Sequence, residues 1–179
     1  MKNLIRLSLF AFLVLHLSSC DGGGPKTPPE KMLEHKVDGF TVSYPESWSL
    51  DTAKSSDEAF TILSPRRDIG DRYLESVSLV TQDVSSKGWN LDSFVVSMEN
   101  YLPEIIGEFK IDKSERKEAN GKSYHRIMYS GLYADKDIQH EQRYWVEDGM
   151  ALTLSFSAGT EDYDWYREDA EKIMDSFSF

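Results

Sequence analysis

The chain has 179 residues, with 20 basic and 31 acidic side chains and a net charge of −11. That balance disfavours nucleic acid, whose phosphates need clustered Lys and Arg, and disfavours adsorption to anionic lipid. Cys20 is the sole cysteine, so no intramolecular disulfide can form.

Lys2 and Arg6 precede a mostly apolar stretch, Leu7 to Leu17. It is too short for a membrane-spanning helix, which needs about 20 residues, and fits the apolar region of an export signal. Leu17-Ser18-Ser19-Cys20 follows and resembles the lipobox of bacterial lipoproteins. The resemblance implies a signal peptide over 1–19 and a lipidated (palmitate-type) Cys20 that becomes the new N-terminus. Several acyl chains on one cysteine would anchor stably where one chain would not. Asp21 resembles the enteric signal that retains lipoproteins in the inner membrane, which puts the chain on its periplasmic face.

Residues 20–36 read as the lipidated cysteine and a tether, because Gly22-Gly23-Gly24-Pro25 and Lys26-Thr27-Pro28-Pro29 carry no apolar period. Beyond Cys20 there are 18 basic and 31 acidic side chains, a net of −13, scattered among aromatics as in a folded acidic domain. One domain is expected over 37–179.

Phe40–Tyr44 alternates apolar and polar residues, the period of a half-buried strand, and Pro45 stops it. Ala59–Leu63, ended by Pro65, and Ser76–Thr81 are two further strands. Phe94, Met98, Tyr101, Leu102 and Ile105 then recur at helical spacing with Asn90 or Asp92 as N-cap. Pro103 removes a hydrogen-bond donor, so that helix is expected to kink or end near Leu102. Phe109–Ile111 and Glu115–Ala119 lead to Asn120-Gly121, a strong hairpin signal. Tyr124–Tyr133 and Gln139–Val146 flank a polar turn at Ala134–Asp137, and Asp148-Gly149 turns into Ala151–Phe156. Short loops between successive strands imply an antiparallel meander. Thr160 is the expected N-cap of a last helix whose apolar stripe is Tyr163, Tyr166, Ala170, Ile173, Met174 and Phe177. Ser176–Phe179 reads as a short strand or docked tail.

Five segments, "GFTVSYPESWSL" (39–50), "FTILSP" (60–65), "LDSF" (91–94), "RYWVEDGMALTLSFSA" (143–158) and "KIMDSFSF" (172–179), resemble the PsbP-like superfamily. This group includes the extrinsic photosystem protein and bacterial lipoproteins of the DcrB type. The resemblance implies an α+β fold, an antiparallel β-sheet with helices packed on its faces as an α/β/α sandwich. It implies no ligand residue, since the matching positions (Phe40, Tyr44, Pro45, Trp48, Trp145, Gly149 and Phe177) are structural. Its characterised members mostly bind or stabilise partner proteins, and fold alone does not transfer function.

Catalytic signatures are missing from the sequence. His35, His125 and His140 lack metal-ligand spacing, and no Gly-x-Ser-x-Gly elbow occurs. Pairing about Ala134–Asp137 would set His140 opposite Gly131, away from His125. Asp162, Asp164, Glu168 and Asp169 have the spacing of a solvated helix face rather than a calcium loop. No catalytic, cofactor or metal residue is therefore assigned, and Cys20 is the one site residue. Trp48, Trp89, Trp145, Trp165 and nine tyrosines are a large aromatic stock. They are explained by helices on both sheet faces, or by an exposed patch for a partner. The expected function is a non-enzymatic, membrane-anchored envelope lipoprotein that touches the bilayer through acylated Cys20 and binds an envelope protein. The alternative is a small hydrolase or ligand-binding protein with a site assembled from distant residues.

Overall fold

The computed structural model describes residues 30–51, 57–70, 73–119 and 121–179. The export signal, Cys20, Asp21 and Asn120 lie outside the described residues. Strand β1 (Met32–Val37) pairs with β2 (Phe40–Pro45) as a separate hairpin. The part of the expected tether from Met32 to Lys36 is therefore strand. Leu33, His35 and Val37 are half-buried and alternate with exposed Met32, Glu34 and Lys36, a period of two obscured by the surrounding charges.

The main sheet has seven strands in the order β3-β4-β5-β9-β8-β7-β6, all antiparallel. They are β3 (Ser49–Asp51), β4 (Glu58–Leu63), β5 (Ser76–Asp83), β6 (Gly107–Ala119), β7 (Lys122–Tyr133), β8 (Lys136–Glu147) and β9 (Met150–Gly159). Helix α1 (Leu91–Ile105) lies over β6, β7 and β8, and α2 (Tyr163–Ser176) lies over β2, β5 and β9. The α+β sandwich expected from the sequence is the observed architecture.

Each strand alternates between two cores. Toward α2, Ile62, Leu79, Trp145, Leu154 and Phe156 meet the buried stripe Tyr163, Tyr166, Ala170, Ile173 and Met174. Toward α1, Ile127, Tyr129, Ile138 and Tyr144 meet Phe94, Val95 and Leu102. Tyr144 and Trp145, adjacent in sequence, thus serve opposite cores. The strand aromatics are satisfied mostly by two helical layers rather than by one exposed patch.

Three local expectations are corrected. Helix α1 continues through Pro103 to Ile105, and Ile106 N–H donates to Leu102 O at 2.9 Å. Pro103 is exposed, and the helix goes on to place Ile106 in the core. The N-cap of α2 is Asp162, with no side-chain cap bond, and Thr160 N–H instead donates to Asp137 O at 3.1 Å. The β7–β8 connection is two residues, Ala134 (φ 47°) and Asp135 (φ 63°), not four. Two left-handed residues match the twist of a tight hairpin, so Tyr129, not Gly131, opposes His140.

The α1 cap is Asn90. Its Oδ1 accepts from Ser93 N–H at 3.0 Å while Ser93 Oγ accepts from Asn90 N–H at 2.9 Å. Gly149 (φ 79°) completes the Asp148-Gly149 turn, and a Cβ there would lie 2.9 Å from Ser85 Cβ. Phe177 is buried among Phe40, Phe60, Trp145 and Phe179, and Ser178 bridges to Thr41, so the C-terminal tail is docked.

A buried charge cluster lies on the α2 side. Glu141, 1% exposed, accepts from Arg126 at 2.5 Å and from Arg143 at 3.1 Å, and Arg143 reaches Asp175 on α2 at 2.7 Å. Arg126 and Arg143 sit directly opposite each other, a repulsive pairing that the intervening carboxylate reverses. Glu141 also pushes the Arg126 guanidinium above its ordinary pKa.

Strand β6 forms one rim of the sheet. Its pairing with β7 shifts register at Gly107/Lys110 and again at Ile111/Lys113, and Glu108 takes φ 51°. Lys110 pairs with Asp112 at 2.7 Å, and Lys113 and Lys117 pair with Glu115 at 3.0 and 3.4 Å.

Candidate interaction site

Helix α1 covers β6, β7 and β8, and among the described residues no helix packs on the same face of β4, β5 and β9. Register assigns Thr61, Ser76, Ser78, Thr153, Ser155 and Ser157 to that face, and all are half-exposed. They alternate with the core residues Ile62, Val77, Leu79, Leu154 and Phe156, so the hydroxyls are the solvent half of amphipathic strands. Val80, 39% exposed, and Gln82 extend the strip along β5.

A groove runs where the strip meets α1. Gln82, Trp89, Phe94, Met98 and Tyr101 line about 330 Å³. The Asn90 cap fixes the start of α1, and i, i+4, i+7 spacing carries Phe94, Met98 and Tyr101 along one side. Trp89 packs on Phe94 with ring centroids 6.3 Å apart, and Lys87 Nζ lies 4.0 Å over the Trp89 ring. The groove is therefore a rigid aromatic wall with a cation at one end, of the composition that favours protein contacts.

At the inner margin of the strip, Tyr73 Oη and Ser157 Oγ are 2.9 Å apart, and Ser157 Oγ lies 3.4 Å from His140 Nε2. His140 stacks on Tyr129 with centroids 4.9 Å apart, and Lys136 Nζ sits 3.5 Å over the Tyr73 ring. Burial drives the His140 pKa down to about 4 and raises the Tyr129 hydroxyl. Nδ1 of His140 is buried with no hydrogen-bond partner among the described residues. A serine nucleophile needs a histidine oriented through its second nitrogen and basic near neutrality. His140 has neither property.

The other histidines are dispersed. His125 Nε2 is 2.9 Å from Ser114 Oγ and its ring stacks on Tyr144; burial is the main cause lowering its pKa. His35 is in the outer hairpin opposite Val42. Among the described residues no group of three or more His, Cys, Asp or Glu could hold a metal ion. The α2 acids divide among nearby cations. Asp162 pairs with Arg67, Asp164 with Arg167 at 3.9 Å, and Glu168 and Asp169 with Lys172 at 3.0 Å each. A larger cleft of about 600 Å³ lies between the β6 start, the β7–β8 turn and the α2 start, with Glu108, Asp135, Asp137 and Glu161 facing Lys110 and Lys136.

No local pattern in the sequence marks the strip and groove. The alternation of Ser76, Ser78 and Val80 was visible, but which half of the sheet a helix would cover depends on strand order. Among the described residues no helix is long and apolar enough to cross a membrane.

No family model matches the chain, and no curated protein does. Solved structures do. LpqN of Mycobacterium tuberculosis, involved in cell envelope biogenesis, aligns with a TM-score of 0.59 at 13% identity over 83% of this chain and 90% of that one. A protein of unknown function from Pseudomonas aeruginosa aligns with a TM-score of 0.58 at 13% identity over 81% and 94%. Cyanobacterial PsbP (CyanoP) from Synechocystis sp. PCC 6803 aligns with a TM-score of 0.54 at 17% identity over 90% and 98%. At these identities the likeness is one of fold, and it agrees with the segments quoted above. This chain has the PsbP-like α+β fold.

Proposed function

We propose that the protein is a non-enzymatic binding or assembly module of the cell envelope, held to a membrane on its non-cytoplasmic side by lipidated Cys20. The observation that carries the binding reading is the half-covered sheet face, where a rigid aromatic groove borders a strip of hydroxyls. Such a surface offers buried anchor sites for apolar side chains and a polar rim beside them. The envelope role of LpqN, which shares the fold, supports the location. The lipobox-like Leu17–Cys20 supports the anchor, and Asp21 favours the inner membrane.

The hydrolase alternative draws on Tyr73, Ser157 and His140. It is disfavoured by the unpartnered His140 Nδ1 and by the low basicity that burial imposes on the ring.

The test places a photo-crosslinking amino acid at Met98, inside the groove, or at Val96, 58% exposed on the outer side of α1. Irradiation of living cells should give one discrete adduct from position 98 and none from 96. Equal labelling from both positions, or none from either, would overturn the groove as the binding surface.

A further inference from the structure

The end of the domain at which the chain joins it is fixed by a run of contacts. Glu46 N–H donates to Lys31 O at 2.9 Å, and Ser47 N–H donates to Glu30 Oε1 at 2.6 Å. Trp48, next in sequence, meets Tyr166 of α2 edge-on with centroids 6.0 Å apart. Tyr166 Oη donates to Pro65 O at 2.8 Å, and Arg67 pairs with Asp162. Residue 30, the first turn of α2 and the loop after β4 therefore share one end of the molecule.

That same end carries large apolar side chains that no core uses. Trp165 in the first turn of α2 is 71% exposed, and Ile69 on the loop after β4 is fully exposed. Tyr133, 55% exposed, closes β7 beside the turn that precedes β8, and β8 in turn meets the start of α2 through Asp137. The other three tryptophans are buried or half-buried. Trp and Tyr at a surface favour the headgroup layer of a bilayer, where an apolar ring and a polar tip are both satisfied.

Chain length turns this coincidence into a restraint. Ten residue steps separate Cys20 from Glu30, which span at most about 35 Å fully extended. A domain of about 150 residues is itself roughly 40 Å across. If Cys20 is anchored in lipid, the end bearing residue 30 stays within about 35 Å of the bilayer, less than the width of the domain. Tethering over so short a span gives an effective concentration in the millimolar range, so a weak apolar contact is enough.

We propose that this end of the domain rests on the lipid surface, with Trp165 and Ile69 seated among zwitterionic headgroups. The inference rests on the anchored reading given above. The cleft at the same end sets Glu108, Asp135, Asp137 and Glu161 against Lys110 and Lys136, an excess of acids that favours neutral headgroups over anionic ones.

The test reads tryptophan emission in vesicles of phosphatidylcholine brominated near the headgroup. In one arm the full chain, purified from membranes of an expressing bacterium, is reconstituted and the mass of its N-terminal peptide is measured. In the other, the unlipidated chain from Cys20 onward, which retains every described element, is coupled through its sole thiol to a maleimide-bearing phospholipid. The coupled chain should lose emission to bromine, W165F should abolish that loss, and I69S should reduce it. Absence of quenching in the coupled chain would overturn the proposal, as would quenching that persists in W165F. Cross-linking of two copies through this end without quenching would also overturn it. The two readings fail separately, because an unmodified Cys20 in the first arm defeats the anchor while the second arm still reports which end meets lipid.

Discussion

His140 makes a quantitative claim about acid stability. Its ring lies against Tyr129, with burial holding its pKa near 4 against an ordinary value of 6.5. Below pH 6.5 the unfolded chain takes up a proton that the folded chain does not, so stability falls as the pH drops from about 7 towards 4. Each pKa unit corresponds to about 1.36 kcal/mol. The gap of about 2.5 units therefore amounts to about 3.4 kcal/mol in strong acid, of which about 2 kcal/mol is expressed by pH 5. Replacing His140 by Phe keeps a ring against Tyr129 and removes the titration, while sacrificing only the long contact to Ser157. Chemical denaturation of both proteins at pH 7.5 and pH 5 isolates the term, because every other ionisable group is common to the two. The wild type should lose about 2 kcal/mol more than H140F over that interval. Parallel losses would refute the account of a histidine neutral by burial.

The buried carboxylate makes a second claim. E141Q keeps the shape of Glu141 but leaves Arg126 and Arg143 facing each other, and should destabilise by about 3–5 kcal/mol in urea melts. Phe177 joins four other rings, and F177A should cost about 3–5 kcal/mol. It should also release the Ser178–Thr41 bridge, seen as faster amide exchange at Thr41, which donates to Ser178 O at 2.9 Å. At the β7–β8 turn, replacing Ala134-Asp135 by Asn-Gly suits the left-handed conformations better and should raise Tm by about 2–4 °C, equivalent to about 1 kcal/mol.

Strand periods, the α2 stripe and the Asp148-Gly149 turn were legible because each is a local pattern. Side chains at spacing two or three to four must share a face whatever the rest of the chain does. The register error at β7–β8 came from reading Ala134–Asp137 as a four-residue turn. Its lack of glycine concealed that Ala134 and Asp135 both adopt left-handed backbone. The error was two residues, so it preserved the face of His140 while misnaming its neighbour. With the correct register, Arg126 opposite Arg143 would have pointed to a buried acid between them. Helix α1 passed Pro103 because core contacts at Leu102 and Ile106 outweigh one absent donor. Met32–Val37 was hidden because the outer hairpin buries only one side chain in two, and Lys and Glu fill the gaps. The half-covered face was illegible in principle, since it depends on which strands end up beside β9.

The irregular rim at β6 has a consequence for self-association. A long open strand would invite neighbouring copies to polymerise side by side. Two dislocations in the ladder and a fringe of lysines paired with Asp112 and Glu115 spoil the template that such growth would copy. Close approach of two copies thus finds no straight edge to extend.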